Sequence, residues 1–208
     1  MLEQLHGMKR YVACAHVSKR LIFDFITSDI NPSSLVNAFG FDDYFSFGVI
    51  HSICHGNWYM EKCSTLGNQF RYTTDTIWDT FPWPQNPTQK QVEKVAEAAM
   101  KLHRERTKTL KDHNITLRDL YRLLEQPGKN PIRDLHAALD KAVMEAYGFD
   151  EKQDVLTQLL ALNLSVAAKE DLPADRHGKK EKVQAPGWPE HIKGKEKFIT
   201  DDCVKFEG

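Results

Sequence analysis

The chain has 208 residues, 41% of them apolar and 27% charged, enough to bury one sizeable core or two small ones. Its formal net charge of −1 excludes a protein that holds nucleic acid by bulk electrostatics, since phosphate contacts then demand a strongly basic surface. No run approaches the roughly 18 apolar residues of a membrane span. The opening MLEQLHGMKR also lacks the apolar stretch of a signal peptide, so the expectation is a cytoplasmic chain with no membrane partner.

Composition divides the chain into three segments. Residues 1–87 are aromatic-rich and β-leaning, 88–168 read as helices, and 169–208 form a polar stretch expected to be extended or partly disordered. Only six Lys/Arg and eight Asp/Glu fall in residues 1–85, so most of the charge lies beyond them. Cys14, Cys54, Cys63 and Cys203 are too few and too scattered for a disulfide framework, and reduced thiols are expected.

In chain order, Arg10–Val17 and Arg20–Thr27 are β-prone runs that read as a hairpin joined by Ser18-Lys19. Leu21, Phe23 and Phe25 alternate with Ile22, Asp24 and Ile26, the period of a strand. Over Tyr44–Ser64 the period changes. Phe47, Ile50, Cys54 and Trp58 recur at steps of three and four, which predicts one helix despite Gly56. The prolines of Phe81-Pro82-Trp83-Pro84 and Pro87 forbid helix or central strand and predict an extended crossover. Phe81 and Trp83 are its packing anchors, with base stacking as their functional alternative.

Thr88 and Gln91 then form a capping-box pattern opening a helix over about 89–111. Val92, Val95, Ala96, Ala99, Leu102 and Leu110 share one side of it. Lys90, Lys94, Lys101, Arg104, Lys108 and Lys111 share the other, as a solvated face or a phosphate-tracking stripe. Thr116 with Asp119 caps Leu117–Glu125, and Pro127-Gly128 stops it. Asn130-Pro131 opens a third helix, Gly148 closes it, and a fourth spans about 151–166. Short loops between them predict an antiparallel bundle, making the fold class α+β.

No catalytic, cofactor-binding or metal-binding residues emerge. The sequence has no glycine-rich phosphate loop, no G-x-S-x-G and no H-E-x-x-H. The Asn-Pro-Pro-aromatic motif of an amino-methylating enzyme is missing too: Asn31-Pro32-Ser33 and Asn86-Pro87-Thr88 lack its second proline. His51, Cys54, His55 and Cys63 are expected to be core histidines and thiols. A zinc site and a cysteine nucleophile are the alternatives.

Several motifs in series resemble one family. They are Arg10-Tyr11-Val12-Ala13, Val17-Ser18-Lys19-Arg20-Leu21-Ile22-Phe23, Asp42-Asp43-Tyr44-Phe45-Ser46-Phe47-Gly48-Val49-Ile50-His51, Arg71-Tyr72-Thr73 and Thr80-Phe81-Pro82-Trp83-Pro84. Leu120-Tyr121, Leu135-His136, Ala146-Tyr147-Gly148 and Thr200-Asp201-Asp202-Cys203-Val204 continue the series. In this order they resemble the target-recognition and C-terminal helical region of type IIG, MmeI-like restriction–modification enzymes and large adenine-specific DNA methyltransferases. The resemblance implies a module that recognises double-stranded DNA, packed beside a methyltransferase domain missing from this chain. S-adenosylmethionine would belong to that missing catalytic part, leaving no cofactor here, and the host would be bacterial. The polar residues it offers for base edges and phosphates are Lys19, Arg20, Arg71, Thr73, Thr74 and Asp75. A scaffold domain docking a separate methyltransferase chain is the alternative from another class, and a small Cys/His hydrolase is a third.

Overall fold

The computed structural model describes residues 5, 7–66 and 69–169. Most of the stretch for which an extended tail is expected, 170–208, lies outside them. Strands β1 (Arg10–Ala15), β3 (Asp24–Thr27) and β4 (Val36–Phe39) form an antiparallel sheet in the order β3-β1-β4. A second small sheet, β2-β6-β5, is built from β2 (Val17–Ser18), β5 (Ser64–Leu66) and β6 (Gln69–Arg71).

The hairpin expected around Ser18-Lys19 is present in its register and altered at its tip. Arg10 faces Thr27 and Ala13 faces Asp24, as a hairpin centred on Ser18-Lys19 requires. The arms separate beyond Ala13 and Asp24, and β2 crosses to the second sheet, where Val17 faces Arg71 and Ser18 faces Phe70. His16 is the pivot. Its N–H donates to the Leu35 carbonyl and its own carbonyl accepts from the Tyr72 N–H, so one residue ties both sheets together. Alternation along β1 then covers two faces: Val12 and Cys14 enter the main core, while Tyr11 and Ala13 join Leu5 in a smaller cluster.

Where one helix is expected over Tyr44–Ser64, there are two, α1 (Tyr44–Ile50) and α2 (Ile53–Lys62). The break falls at His51-Ser52. The Ser52 hydroxyl donates back to the Val49 carbonyl at 2.7 Å and its backbone is extended, so the ladder stops. The freed Ile53 N–H donates to the Asp140 carboxylate at 2.7 Å, a cap supplied from another helix.

Among the described residues four further α-helices follow: α3 (Gln89–His113), α4 (Leu117–Leu124), α5 (Pro131–Tyr147) and α6 (Val155–Lys169). The capping boxes at Thr88/Gln91 and Thr116/Asp119 are both formed. Asn130 caps α5 ahead of Pro131, and Gly148 ends it in the left-handed conformation at φ 71°. The last helix starts four residues later than expected. Asp154 accepts from the Thr157 N–H at 2.7 Å, and Asp150 gathers the preceding residues into a turn. Helices α3 and α5 are antiparallel, since Gln91 and Lys94 near the start of α3 bond Glu145 near the end of α5.

One hydrophobic core runs from Val12 in β1 to Leu159 in α6. Every residue of α1 is buried, and Gly48 lets that helix press against its neighbours. A Cβ there would lie 2.9 Å from Val95 Cγ1, 3.1 Å from Ala99 Cβ and 3.2 Å from Leu139 Cδ1. Residues 12–83 and the helices therefore share the main core. Among the described residues no helix is long and apolar enough to cross a membrane.

Candidate nucleic-acid interface

The second sheet brings together residues distant in sequence. Pairing of β2 with β6 sets His16–Lys19 beside Gln69–Arg71, and Arg71 Nε donates to His16 Nε2 at 3.1 Å. Lys19 is exposed at the end of β2, and Arg71, Thr74 and Asp75 are exposed beyond it. The run after Arg71 is not strand. Tyr72 is buried, and Thr74–Trp78 form a π-helical turn closed by the Asp79 N–H onto the Thr74 carbonyl at 2.8 Å. Such wide turns interrupt regular structure and recur at functional sites. This one hands the Ile77 carbonyl to the buried Trp58 indole, 3.2 Å away, while its first turn presents Thr74, Asp75 and Thr76 to solvent.

Of the six sequence-derived candidates, five gather here. Lys19 lies at one end of the sheet, Arg71 along it, and Thr73, Thr74 and Asp75 at its exit. The Thr73 hydroxyl is bonded to that of Thr76. Arg20 is engaged elsewhere: its guanidinium grips both oxygens of Glu125, at 2.5 and 2.6 Å, at the end of α4. That pairing holds the Glu125 carboxyl below the usual carboxylate range. Trp58, Phe81 and Trp83 are buried at 1%, 0% and 0% exposure and pack within the core, so base stacking is not their role in this conformation.

Against β3 of the first sheet lies a polar network that the sequence reading missed. Arg106 of α3 is 1% exposed. Its Nη2 donates to Asp24 Oδ1 at 2.5 Å and its Nη1 to the Phe23 carbonyl at 2.9 Å, with His51 Nε2 at 3.2 Å and the Tyr121 hydroxyl at 3.3 Å. Tyr121 also bridges His51, at 2.8 Å, and His136, at 3.0 Å. The network joins β3, α1, α3, α4 and α5 through one buried cation. Neutral His51 can accept there, whereas a protonated ring would face Arg106 directly. Burial, then the Arg106 charge, pushes His51 well down, and the same causes bring His136 to about 4. Asp24 is lowered against its own desolvation by His103 and Arg106.

The Cys/His grouping resolves into core chemistry. His55 offers Nδ1 to the Ile50 carbonyl and Nε2 to the Tyr72 hydroxyl, and burial drives it to about 3. Burial also raises the Cys54 thiol to about 12, far from a reactive thiolate, and Cys63 bonds the Met60 carbonyl. His51 and His55 thus turn to different partners.

Residues 9–85 match the family model described as MmeI, target recognition domain. The fold is also that of a solved structure described as the type IIL restriction-modification enzyme MmeI in complex with DNA, with a TM-score of 0.69 at 22% sequence identity. The superposition covers 78% of this chain and 22% of that one, so the present chain spans under a quarter of that protein's length. Residues 9–85 are less than half of the chain, so the shared fold takes in the helices as well. No curated protein matches.

Proposed function

We propose that this chain, whose residues 9–85 match the model of the MmeI target recognition domain, reads the sequence of duplex DNA for a restriction–modification enzyme. The observation that carries the reading is the joining of β2 to β6. It sets Lys19 and Arg71, from two distant stretches, on adjoining chain segments, with Thr73, Thr74 and Asp75 following Arg71 and the last two exposed. Guanidinium, hydroxyl and carboxylate groups are what base-edge readout uses, and cations beside them fix register on the phosphates.

In this reading the parent enzyme methylates adenine N6. The methyl-transfer chemistry, with its S-adenosylmethionine, belongs to a separate methyltransferase part against which this chain packs. The chain itself contributes recognition and no covalent step. Its large exposed apolar side chains do not favour a scaffold: Ile30 and Leu35, Ile53 and Met60, Leu123, and Leu164 sit on a loop and three different helices.

The test is a titration of random-duplex binding between roughly 50 and 200 mM salt. Expected is weak binding that falls steeply with salt, and Arg71→Ala should lower affinity and flatten the slope by about one. Salt-independent binding, or none, counts against DNA recognition by this chain.

A further inference from the structure

We propose that α4 extends the DNA-contact surface, with Arg118 and Arg122 holding backbone phosphates beside the base pairs read from the β2-β6-β5 sheet. The inference rests on the reading of that sheet as DNA-facing, and its starting point is the Arg20–Glu125 ion pair. Helix α4 turns Leu120 into the core and sends the Tyr121 hydroxyl into the Arg106 network. Its other side carries Arg118 and Arg122, both exposed, and then Glu125. These three recur at i, i+4 and i+7, so they share one face. Glu125 keeps helical backbone as the C-cap, at φ −79° and ψ −15°, so the face continues through it.

Since Glu125 reaches Arg20, next to the exposed Lys19, the face that carries both arginines begins at the edge of the recognition sheet. Arg118 and Arg122 stand about 6 Å apart along α4, four residues at about 1.5 Å each, which leaves each free to take a separate phosphate.

The acidic groups of α4 offset this charge only in part. Asp119 lies close enough to feel Arg118 and Arg122, and Glu125 to feel Arg122, yet four cations (Lys19, Arg20, Arg118 and Arg122) stand against these two carboxylates. Asp119 is committed to the capping box, accepting from the Thr116 hydroxyl at 2.6 Å, and Glu125 is held by Arg20. Neither Arg118 nor Arg122 lies within ion-pair distance of a carboxylate among the described residues. A near-neutral chain can thereby present a local run of cations, Lys19, Arg122 and Arg118, where the duplex would leave the sheet. The exposed cations Lys108 and Lys111 of α3 have no comparable tie to that sheet, which makes them a matched control.

The experiment measures random-duplex affinity against salt for the whole 208-residue chain, for Arg118→Ala/Arg122→Ala, for Lys108→Ala/Lys111→Ala and for Arg71→Ala. Thermal unfolding verifies that each variant is folded. Expected is a slope shallower by about two for the α4 pair, at roughly 0.9 for each phosphate no longer neutralised, and an unchanged slope for the α3 pair. Equal reductions from both pairs would reduce the effect to net charge and overturn the inference. So would an α4 pair that binds like the parent while Arg71→Ala weakens binding, an outcome that leaves the sheet reading intact. Absence of salt-dependent binding by the parent chain overturns both.

Discussion

Arg106 lies four residues after Leu102 and four before Leu110, on the apolar side of α3, and that register places a cation where a hydrophobe is the rule. It is tolerated because the carboxylate of Asp24, the Phe23 carbonyl and the ring and hydroxyl of His51 and Tyr121 receive its N–H groups. Removing one member of such a set leaves the others desolvated and unmatched. Arg106→Leu should destabilise the fold by about 3–5 kcal/mol in chemical denaturation. Arg106→Lys should restore little, since an ammonium lacks the planar fork that spans these acceptors; a variant as stable as the parent would contradict this account.

The same burial sets the response to acid. His51, His55 and His136 are neutral in the folded chain, His136 with its pKa at about 4 and His55 at about 3, against an ordinary 6.5 when unfolded. Between those values the unfolded chain binds more protons, so stability rises with pH there and is lost on acidification. Asp24, lowered in the fold, acts in the same direction. Asp140 opposes them: burial raises it to about 6, so its contribution falls as pH rises from 3.8. Three histidines outweigh one aspartate, and Asp24 adds to them only below its ordinary 3.8. The melting temperature should therefore fall steadily from about pH 6.5 to pH 4, and a flat profile would mean the rings are not buried neutral.

Among the elements, α1 is the most constrained, a seven-residue helix with every residue buried. Gly48→Ala gains about 1 kcal/mol of helix propensity but forces a methyl to 2.9 Å from Val95 Cγ1. Overpacking should win, for a net loss of about 1–2 kcal/mol. Val95→Ala placed in the Gly48→Ala background should recover part of that loss, a coupling that a double-mutant cycle measures. Additivity of the two changes would contradict the contact.

Element ends written in local chemistry were legible in the sequence: the boxes at Thr88 and Thr116, Asn130 before Pro131, and Gly148. The hairpin register was legible too, because it follows from the centre at Ser18-Lys19 together with the alternation. What escaped depends on neighbours brought in by the fold. Asp140 caps α2 from α5, β2 leaves its hairpin for β6, and Arg20 meets Glu125 across 105 positions. The family resemblance picked out the stretch that the family model matches, residues 9–85, yet only the β2–β6 pairing showed which of its polar residues adjoin. Arg106 could have been noticed as a charge in an apolar register, although its partners could not.

At the scale of the whole molecule, the recognition region and the helices cannot be separated without opening the core. Val92, Val95, Ala99, Leu102 and Leu139 complete the burial of α1, and Arg106 anchors β3 from behind. A chain ending at residue 87 would expose that surface, and its thermal unfolding should show no cooperative transition. A sharp transition would mean the first segment folds alone. This unity also bears on recognition. A sheet of such short strands holds its polar groups in register only if a rigid body backs it, and α2 supplies that backing, with Tyr59 packed on Phe70 and His55 bonded to the Tyr72 hydroxyl.

The central claim, that this rigid body reads DNA sequence, is tested most directly by selecting duplexes bound by the 208-residue chain from a randomised pool and sequencing them. The expected result is enrichment of one short motif, with Arg71→Ala relaxing preference at a subset of its positions. Binding that enriches no motif, or an Arg71→Ala variant with an unchanged motif and affinity, would contradict it.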